Sequence, residues 1–446
     1  MEKFFKLKEH GTTVRNELVG GLTTFFAMAY IMFVNPNTLT SLHPDYWTSV
    51  FVATCISAAI GCILTAVLAN VPFAQAPGMG LNAFFAFTVA TGAAGFGMGY
   101  SFEEGLAIVF ISGLLFLAIA VSPLRSKVIS SIPASLKAAI GAGIGLFITI
   151  IGLLNAGIMR LDEANNITAL NLFVDGALNK TAALALIGVL VIACLMAYKV
   201  KGAIFIGIII TTLIGIPMGV TTLPESVTMS NITMADTFLK LDFGGLTKFG
   251  IVPLVTAVIS FLLVDMFDTV GTLIGTAGAS GMLDEDGNLP GGDKALIADA
   301  IATCTGALCG TSTVTTFVES STGISEGART GLSSAFVGVL FLASIVLAPI
   351  AGIVPGAATA PALIIVGVLM LKSAVRVPWD DMEEAIPAFL TIAMMPFAYS
   401  ISDGIAFGFI SYTIIKLVRG KAKEVPALMY VLSALFIVMY VLKGIA

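Results

Sequence analysis

The feature that most constrains this chain is a succession of long apolar runs, each near the length that spans a lipid bilayer. A crossing helix needs about 20 apolar residues. Runs of that order fall near 17–34, 50–70, 73–94, 105–121, 134–156, 181–198, 202–219, 250–278, 294–309, 311–325, 330–353, 359–375, 384–400 and 402–418. A further segment, 425–442 (VPALMYVLSALFIVMYVL), is apolar enough to cross as well. Charged residues make up 11% of the 446 positions and apolar residues 57%, against roughly 25% charged in an average soluble protein. That balance excludes a soluble globular enzyme and a disordered chain. The net charge of −5 leaves no basic field for a phosphate backbone, so no nucleic-acid partner is expected. Only helices or closed barrels satisfy their backbone in lipid, and runs of this length specify an all-α polytopic membrane protein of about fourteen transmembrane helices.

Cysteine and histidine add little. Cys55, Cys62, Cys194, Cys304 and Cys309 form no CxxC pair and fall inside apolar runs, where thiols pack as small hydrophobes. His10 and His43 lie outside the runs, so no metal site, no cofactor and no imidazole relay within the membrane is expected. The opening MEKFFKLKEHGTTVRNEL is polar and basic and does not read as a signal peptide.

Positive charge sets the orientation. Lys3, Lys6, Lys8 and Arg15 precede the first run, Arg125 and Lys127 follow the fourth, Lys199 and Lys201 lie between the sixth and seventh, and Arg419, Lys421 and Lys423 follow 402–418. A cytoplasmic N-terminus places all four groups inside. Trp47 and Trp379 sit at run edges as interfacial anchors. The polar stretch 220–249 divides the chain into halves of seven runs each. Seven is odd, so the second half has inverted topology. In the third run of each half the apolar pattern breaks, as PFAQAPGMGLNAFF and as GTSTVTTFVESSTG. Paired interruptions in matching slots point to a midplane site built from discontinuous helices, with small-residue packing between helices as the alternative.

Ionisable side chains inside a bilayer mark sites or pathways. Asp265, Asp268, Asp299 and Glu319 fall well inside the runs, with no Arg or Lys at comparable depth. Asp265 and Asp268 stand three apart and share a helical face, with Thr272 a turn beyond. Glu319 lies in the second interruption, and Asn82 stands in its counterpart. The alternative for each acid is a structural carboxylate bridging helices; for Asp299 the two readings weigh equally. Glu326 and Arg329, three apart near a run end, read as an interfacial ion pair. Acids without cations favour a substrate that presents N–H donors, such as a neutral nucleobase. Buried carboxylates also suit the carriage of a coupled proton. A cation pathway fits the charges but leaves the interruptions unexplained.

The stretches VGGLTTFFAMAYIMFVNP, QAPGMGLNAFF, VDMFDTVGTLIG with GMLDEDGNLPG, and TTFVESSTGISEGARTGL resemble the nucleobase/ascorbate transporters, in particular the azaguanine-type permeases for guanine, hypoxanthine and adenine. The resemblance runs from about residue 12 to 420. It implies a 7+7 inverted repeat in which helices 3 and 10 are interrupted by short extended segments. The implied core domain takes 1–121 and 250–353, and the gate domain takes 122–220 and 354–446, joined by an extracytoplasmic connector at 221–249. The eighth-helix acid before VG falls on Asp268, the branch's additional acid on Asp265, the tenth-helix acid on Glu319 and the third-helix Asn on Asn82. Gly80, where backbone can approach a ligand, and Ser320 complete the candidate binding set. Asp265 and Asp268 are the candidates for proton coupling. Many members carry His one turn after the eighth-helix acid, whereas Thr272 stands here, and 425–442 has no counterpart. The implied function is proton-coupled uptake of guanine and hypoxanthine, with adenine left open, across a bacterial cytoplasmic membrane by an elevator-like motion. Its partners are the purine base, protons and the lipid bilayer, and a homodimer is left open. The alternatives are a uracil or xanthine permease, an anion exchanger of the same fold, or a channel. No enzyme is expected, because the runs hold no nucleophile–base pair.

Overall fold

Apolar runs become helices wherever glycine, proline and polar residues do not interrupt them, and the computed structural model follows that rule closely. It describes residues 2–41, 43–90, 98–160, 171–174, 177–223, 232–284 and 289–445. The first run forms α1 (Val14–Met28) and α2 (Ile31–Leu39), with Tyr30 at the break between them. Next come α3 (Trp47–Leu64), strand β1 (Gln75–Pro77) and the short α4 (Met79–Ala83), which runs on helically through Phe84–Val89. Then follow α5 (Phe102–Val121), α6 (Ala134–Asn155), α7 (Lys180–Ala197) and α8 (Ala203–Met218). Beyond the polar connector lie α9 (Ile251–Ala279), α10 (Gly292–Cys309), strand β2 (Val314–Thr316) and the short α11 (Ser320–Ser325). The chain ends in α12 (Gly331–Ser344), α13 (Gly356–Leu371), α14 (Met382–Phe397), α15 (Ile401–Val418) and α16 (Ala427–Ile445).

Among the described residues, nine helical stretches are long and apolar enough to cross a membrane, and three shorter apolar ones accompany them. The protein is an integral membrane protein by that measure. Helices α1, α3, α5, α10 and α12 pack on one another, as do α6, α13, α14 and α15, with α7 lying on α8 and α13. Segment 425–442 is helical: α16 packs along α15 and touches α9, with the Ser433 and Thr413 hydroxyls 2.9 Å apart and Tyr440 donating to Asp403 at 2.8 Å.

Charges outside the apolar faces fasten helix ends. Glu17 of α1 is fully buried and accepts the backbone N–H groups of Arg329 at 2.7 Å and of Thr330 and Ser333 at 3.1 Å. A carboxylate there meets the positive end of α12 and its unpaired amides. Ser101 and Glu104 form a reciprocal cap on α5, and Lys248 of the connector reaches Glu104 at 2.5 Å. Lys416 on α15 pairs with Glu383 and Glu384 on α14, each at 3.1 Å.

One expected pair is corrected. Glu326 bonds Lys201 at 2.5 Å, while Arg329 donates to the carbonyls of Ile324 and Ala328 at 2.6 and 2.7 Å. Helix α11 ends at Ser325 and Gly327 turns the chain at φ +100°. Three residues therefore no longer mean one helical face.

Candidate functional site

The two interruptions meet. β1 and β2 pair antiparallel in the register Gln75↔Thr316, Ala76↔Thr315 and Pro77↔Val314. Amide bonds from Gly78 to the Thr313 carbonyl and from Phe317 to the Ala74 carbonyl, both 3.0 Å, extend the pairing. Non-helical backbone at membrane depth is tolerated only where its polar groups find such partners. Gly78 is required by this approach, since a Cβ there would stand 2.4 Å from Thr315 Cγ2. The outward-facing groups of Gln75 are served by Cys62, whose thiol donates to the Gln75 carbonyl at 3.3 Å and accepts its N–H at 3.2 Å. Reading Cys62 as simple packing missed this role.

Around the crossing stand four acids. Glu319, half-buried, follows β2 and accepts a hydrogen bond from Tyr30 Oη at 2.9 Å. Asp268 on α9, also half-buried, lies within electrostatic reach of Glu319. Asp265, one turn earlier and 1% exposed, accepts from Thr303 Oγ1 at 2.8 Å, and its Oδ1 has no partner among the described residues. Asp299 on α10 is fully buried; its Oδ1 accepts from Thr316 at 3.0 Å and from Gln75 Nε2 at 3.1 Å. Asp299 and Thr303 are four apart, so α10 presents both on one face. Thr269 of α9 and Thr315 of β2 share a hydrogen bond of 2.7 Å. Every residue of β2 is thus tied sideways to α9 or α10, since Val314 also receives Thr303 at 3.1 Å.

The remaining expected residues sit close by. Asn82 is fully buried; its Nδ2 reaches the Pro77 carbonyl at 3.3 Å and its Oδ1 has no partner among the described residues. Gly80 faces α6, where a Cβ would stand 2.6 Å from Ile144 Cγ2, so its missing side chain lets α4 approach that helix. Ser320 Oγ accepts the Ala74 amide at 3.0 Å and so links the second interruption to the first.

Sequence reasoning missed Tyr30, Gln75, Thr303 and Thr316. Tyr30 carried a usable signal: a hydroxyl in an apolar run needs a partner. The Thr and Gln contacts carried none, because they depend on which helices become neighbours. Lys137, in the first turn of α6, lies 5.3 Å from the ring centre of Phe267, one of the two residues between Asp265 and Asp268. Among the described residues, no group of three His, Cys, Asp or Glu side chains is placed to hold a metal ion. The arrangement offers hydrogen-bond acceptors at a strand crossing, with the Tyr30 and Phe317 rings 6.5 Å apart beside them.

A family model described as "Permease family" matches residues 15–441. The chain is 43% identical to the guanine/hypoxanthine permease PbuG of Bacillus subtilis, covering 99% of each chain. It is 41% identical to the adenine permease AdeP of Escherichia coli, over 98% of this chain and 95% of that one. Among solved structures, the transmembrane domain of a cyanobacterial bicarbonate transporter, BicA, aligns with a TM-score of 0.65 over 88% of this chain and 97% of that one. At 16% identity that likeness concerns the fold alone.

Proposed function

The chain belongs to this permease family, a family of transporters rather than enzymes, and from that premise we propose that it takes up purine nucleobases by proton-coupled secondary transport. Guanine, hypoxanthine and adenine are the candidate substrates, in keeping with the names of PbuG and AdeP. The observation that carries the reading is Glu319, a half-buried carboxylate held on one oxygen by Tyr30 at the meeting point of two broken helices. A carboxylate accepts two adjacent N–H bonds, and a purine edge supplies such donors. Asn82 Oδ1, without a partner among the described residues, supplies a further acceptor. The rings of Tyr30 and Phe317 supply apolar walls.

In this reading Glu319, Asp268, Asn82 and Ser320 form the binding site. Asp265 and Asp268 carry the proton. The chain has a 7+7 inverted repeat, and its core domain (1–121 and 250–353) slides past the gate domain (122–220 and 354–446) like an elevator. The separate packing of α1, α3, α5, α10 and α12 and of α6, α13, α14 and α15 supports that division. Gly80 against Ile144 would lie on the sliding surface. The positive charges support a cytoplasmic N-terminus in this reading, with the bacterial cytoplasmic membrane as the setting.

Flux of labelled hypoxanthine into proteoliposomes, with and without a proton uncoupler, tests the reading. Uncoupler-sensitive accumulation is expected. Uncoupler-insensitive accumulation removes the coupling, and no flux of any of the three bases removes the substrate class. A binding panel that adds xanthine and uracil separates the sister specificities.

A further inference from the structure

We propose that Thr303 of α10 reads the protonation state of Asp265 and passes it to strand β2, an inference that rests on Asp265 carrying the coupling proton. Thr303 is fully buried, and its Oγ1 stands 2.8 Å from Asp265 Oδ2 and 3.1 Å from the Val314 carbonyl oxygen. A hydroxyl has one proton to give and two lone pairs. It can serve only one of these two acceptors at a time. With Asp265 ionised, the proton turns to the carboxylate, because charge-assisted bonds are the stronger ones. The Val314 carbonyl then loses that donor. When a proton binds Asp265 Oδ2, the new O–H donates to Thr303 Oγ1, and the Thr303 proton turns to Val314. One proton arrives, one hydroxyl rotates, and nothing else moves between atoms.

The strand has a reason to respond. Val314 lies opposite Pro77 in a pair that exchanges no backbone bonds, because the ladder bonds flank it at Gly78–Thr313 and Phe317–Ala74, so the Val314 carbonyl faces away from β1 and finds no donor there. A buried carbonyl without a donor is costly, so the seating of β2 on α10 differs between the two states. Glu319 lies three residues beyond the end of β2, and a shift of the strand reaches the binding site directly. Other charges face Asp265. Asp268 stands on its own helix, and Asp299 and the Cys304 thiol stand on α10. Glu319 acts on Asp268, and Lys137 of α6 lies over Phe267. The packed segments β1 and α4 contain no titratable residue, and α5 has its acids, Glu103 and Glu104, in its first turn. Thr303 bonds both Asp265 and the strand.

The test is the pH dependence of hypoxanthine affinity in the full-length protein reconstituted in lipid. One linked proton changes affinity up to about tenfold per pH unit in the coupling range. Thr303→Val keeps the shape and removes the hydroxyl. It should bind within about fivefold of wild type at the pH of tightest binding, yet vary less than about threefold between about pH 5.5 and 8. Thr303→Ser should restore the wild-type profile. Should the valine variant not reach the membrane, Thr303→Ala carries the same expectation. In an Asp265→Asn background, Thr303→Val should leave the pH profile as it is. A valine or alanine variant with the wild-type profile, a serine variant as flat as valine, or a further change on top of Asp265→Asn each overturns the relay. A pH-independent wild type overturns both the relay and the coupling role of Asp265. A pH-dependent wild type with an unchanged valine variant overturns the relay alone.

Discussion

Replacing Asn82 by alanine separates a binding residue from a brace for broken backbone, because the first role predicts an almost unchanged stability and the second a clear loss of it. Asn82 gives up little when truncated. Its one backbone bond, Nδ2 to the Pro77 carbonyl, is long at 3.3 Å, and a bond of ordinary geometry contributes only about 0.5–1.5 kcal/mol net. Truncation also removes an oxygen, Oδ1, that is buried without a partner among the described residues, a situation that costs about 1–3 kcal/mol. The small cavity left behind works the other way. The sum is near zero, and Asn82→Ala should melt within a few degrees of wild type in the absence of ligand. Binding should respond differently. If Oδ1 accepts a purine N–H, its loss weakens that base about tenfold, the effect of about 1.4 kcal/mol. The ranking among guanine, hypoxanthine and adenine should change, since these bases present different groups. Thermal melting and three affinities measured on one preparation decide the matter. A clear drop in melting temperature with an equal loss for all three bases would refute the binding role and leave Asn82 a brace.

Three further expectations follow from neighbouring residues. Glu319→Gln keeps an oxygen for Tyr30 but turns an amide toward the substrate. Losing a charge-assisted bond of about 1.5–3 kcal/mol should weaken purine binding at least about tenfold with little change in melting, and near-normal affinity would make Glu319 structural. Asp265→Asn or Asp268→Asn, whichever carries the proton, should abolish accumulation driven by an imposed pH gradient while exchange persists; if both variants still concentrate substrate, neither acid couples transport. Glu17→Gln puts an NH₂ group against the amides that cap α12 and should destabilise the protein by about 2–3 kcal/mol, read as a lower melting temperature with unchanged substrate ranking. A Glu17→Gln variant that melts like wild type would remove the capping role.

The helices and interruptions were legible in the sequence because they rest on local chemistry. Apolar runs such as 250–278 became helices within a residue or two of their edges, as α9 shows. Gly78, Pro77 and the Thr-rich 311–316 stretch marked the breaks. What was not legible is pairing across the fold. Nothing near Asp299 in the chain announces Gln75, 224 residues away, as its donor. Nothing near Glu319 announces Tyr30. Asp299 looked as much like a packing residue as a site residue because its small neighbours allow α10 to lie close to α3 and α5, and both features occupy one helix. The Glu326–Arg329 expectation failed for the opposite reason: a local rule was carried past the point where the helix had ended.

The ladder between Gln75 and Thr316 joins segments 241 residues apart. Such distant contacts form late, after the chain between them has been ordered. During synthesis the first half must therefore enter the membrane with Gln75 and Ala76 unmatched, waiting for their complement to leave the ribosome. The connector between the halves is then a natural place to divide the gene: two fragments cut within 224–231 and produced together should recover substrate recognition, while either fragment alone, though inserted, should recognise nothing.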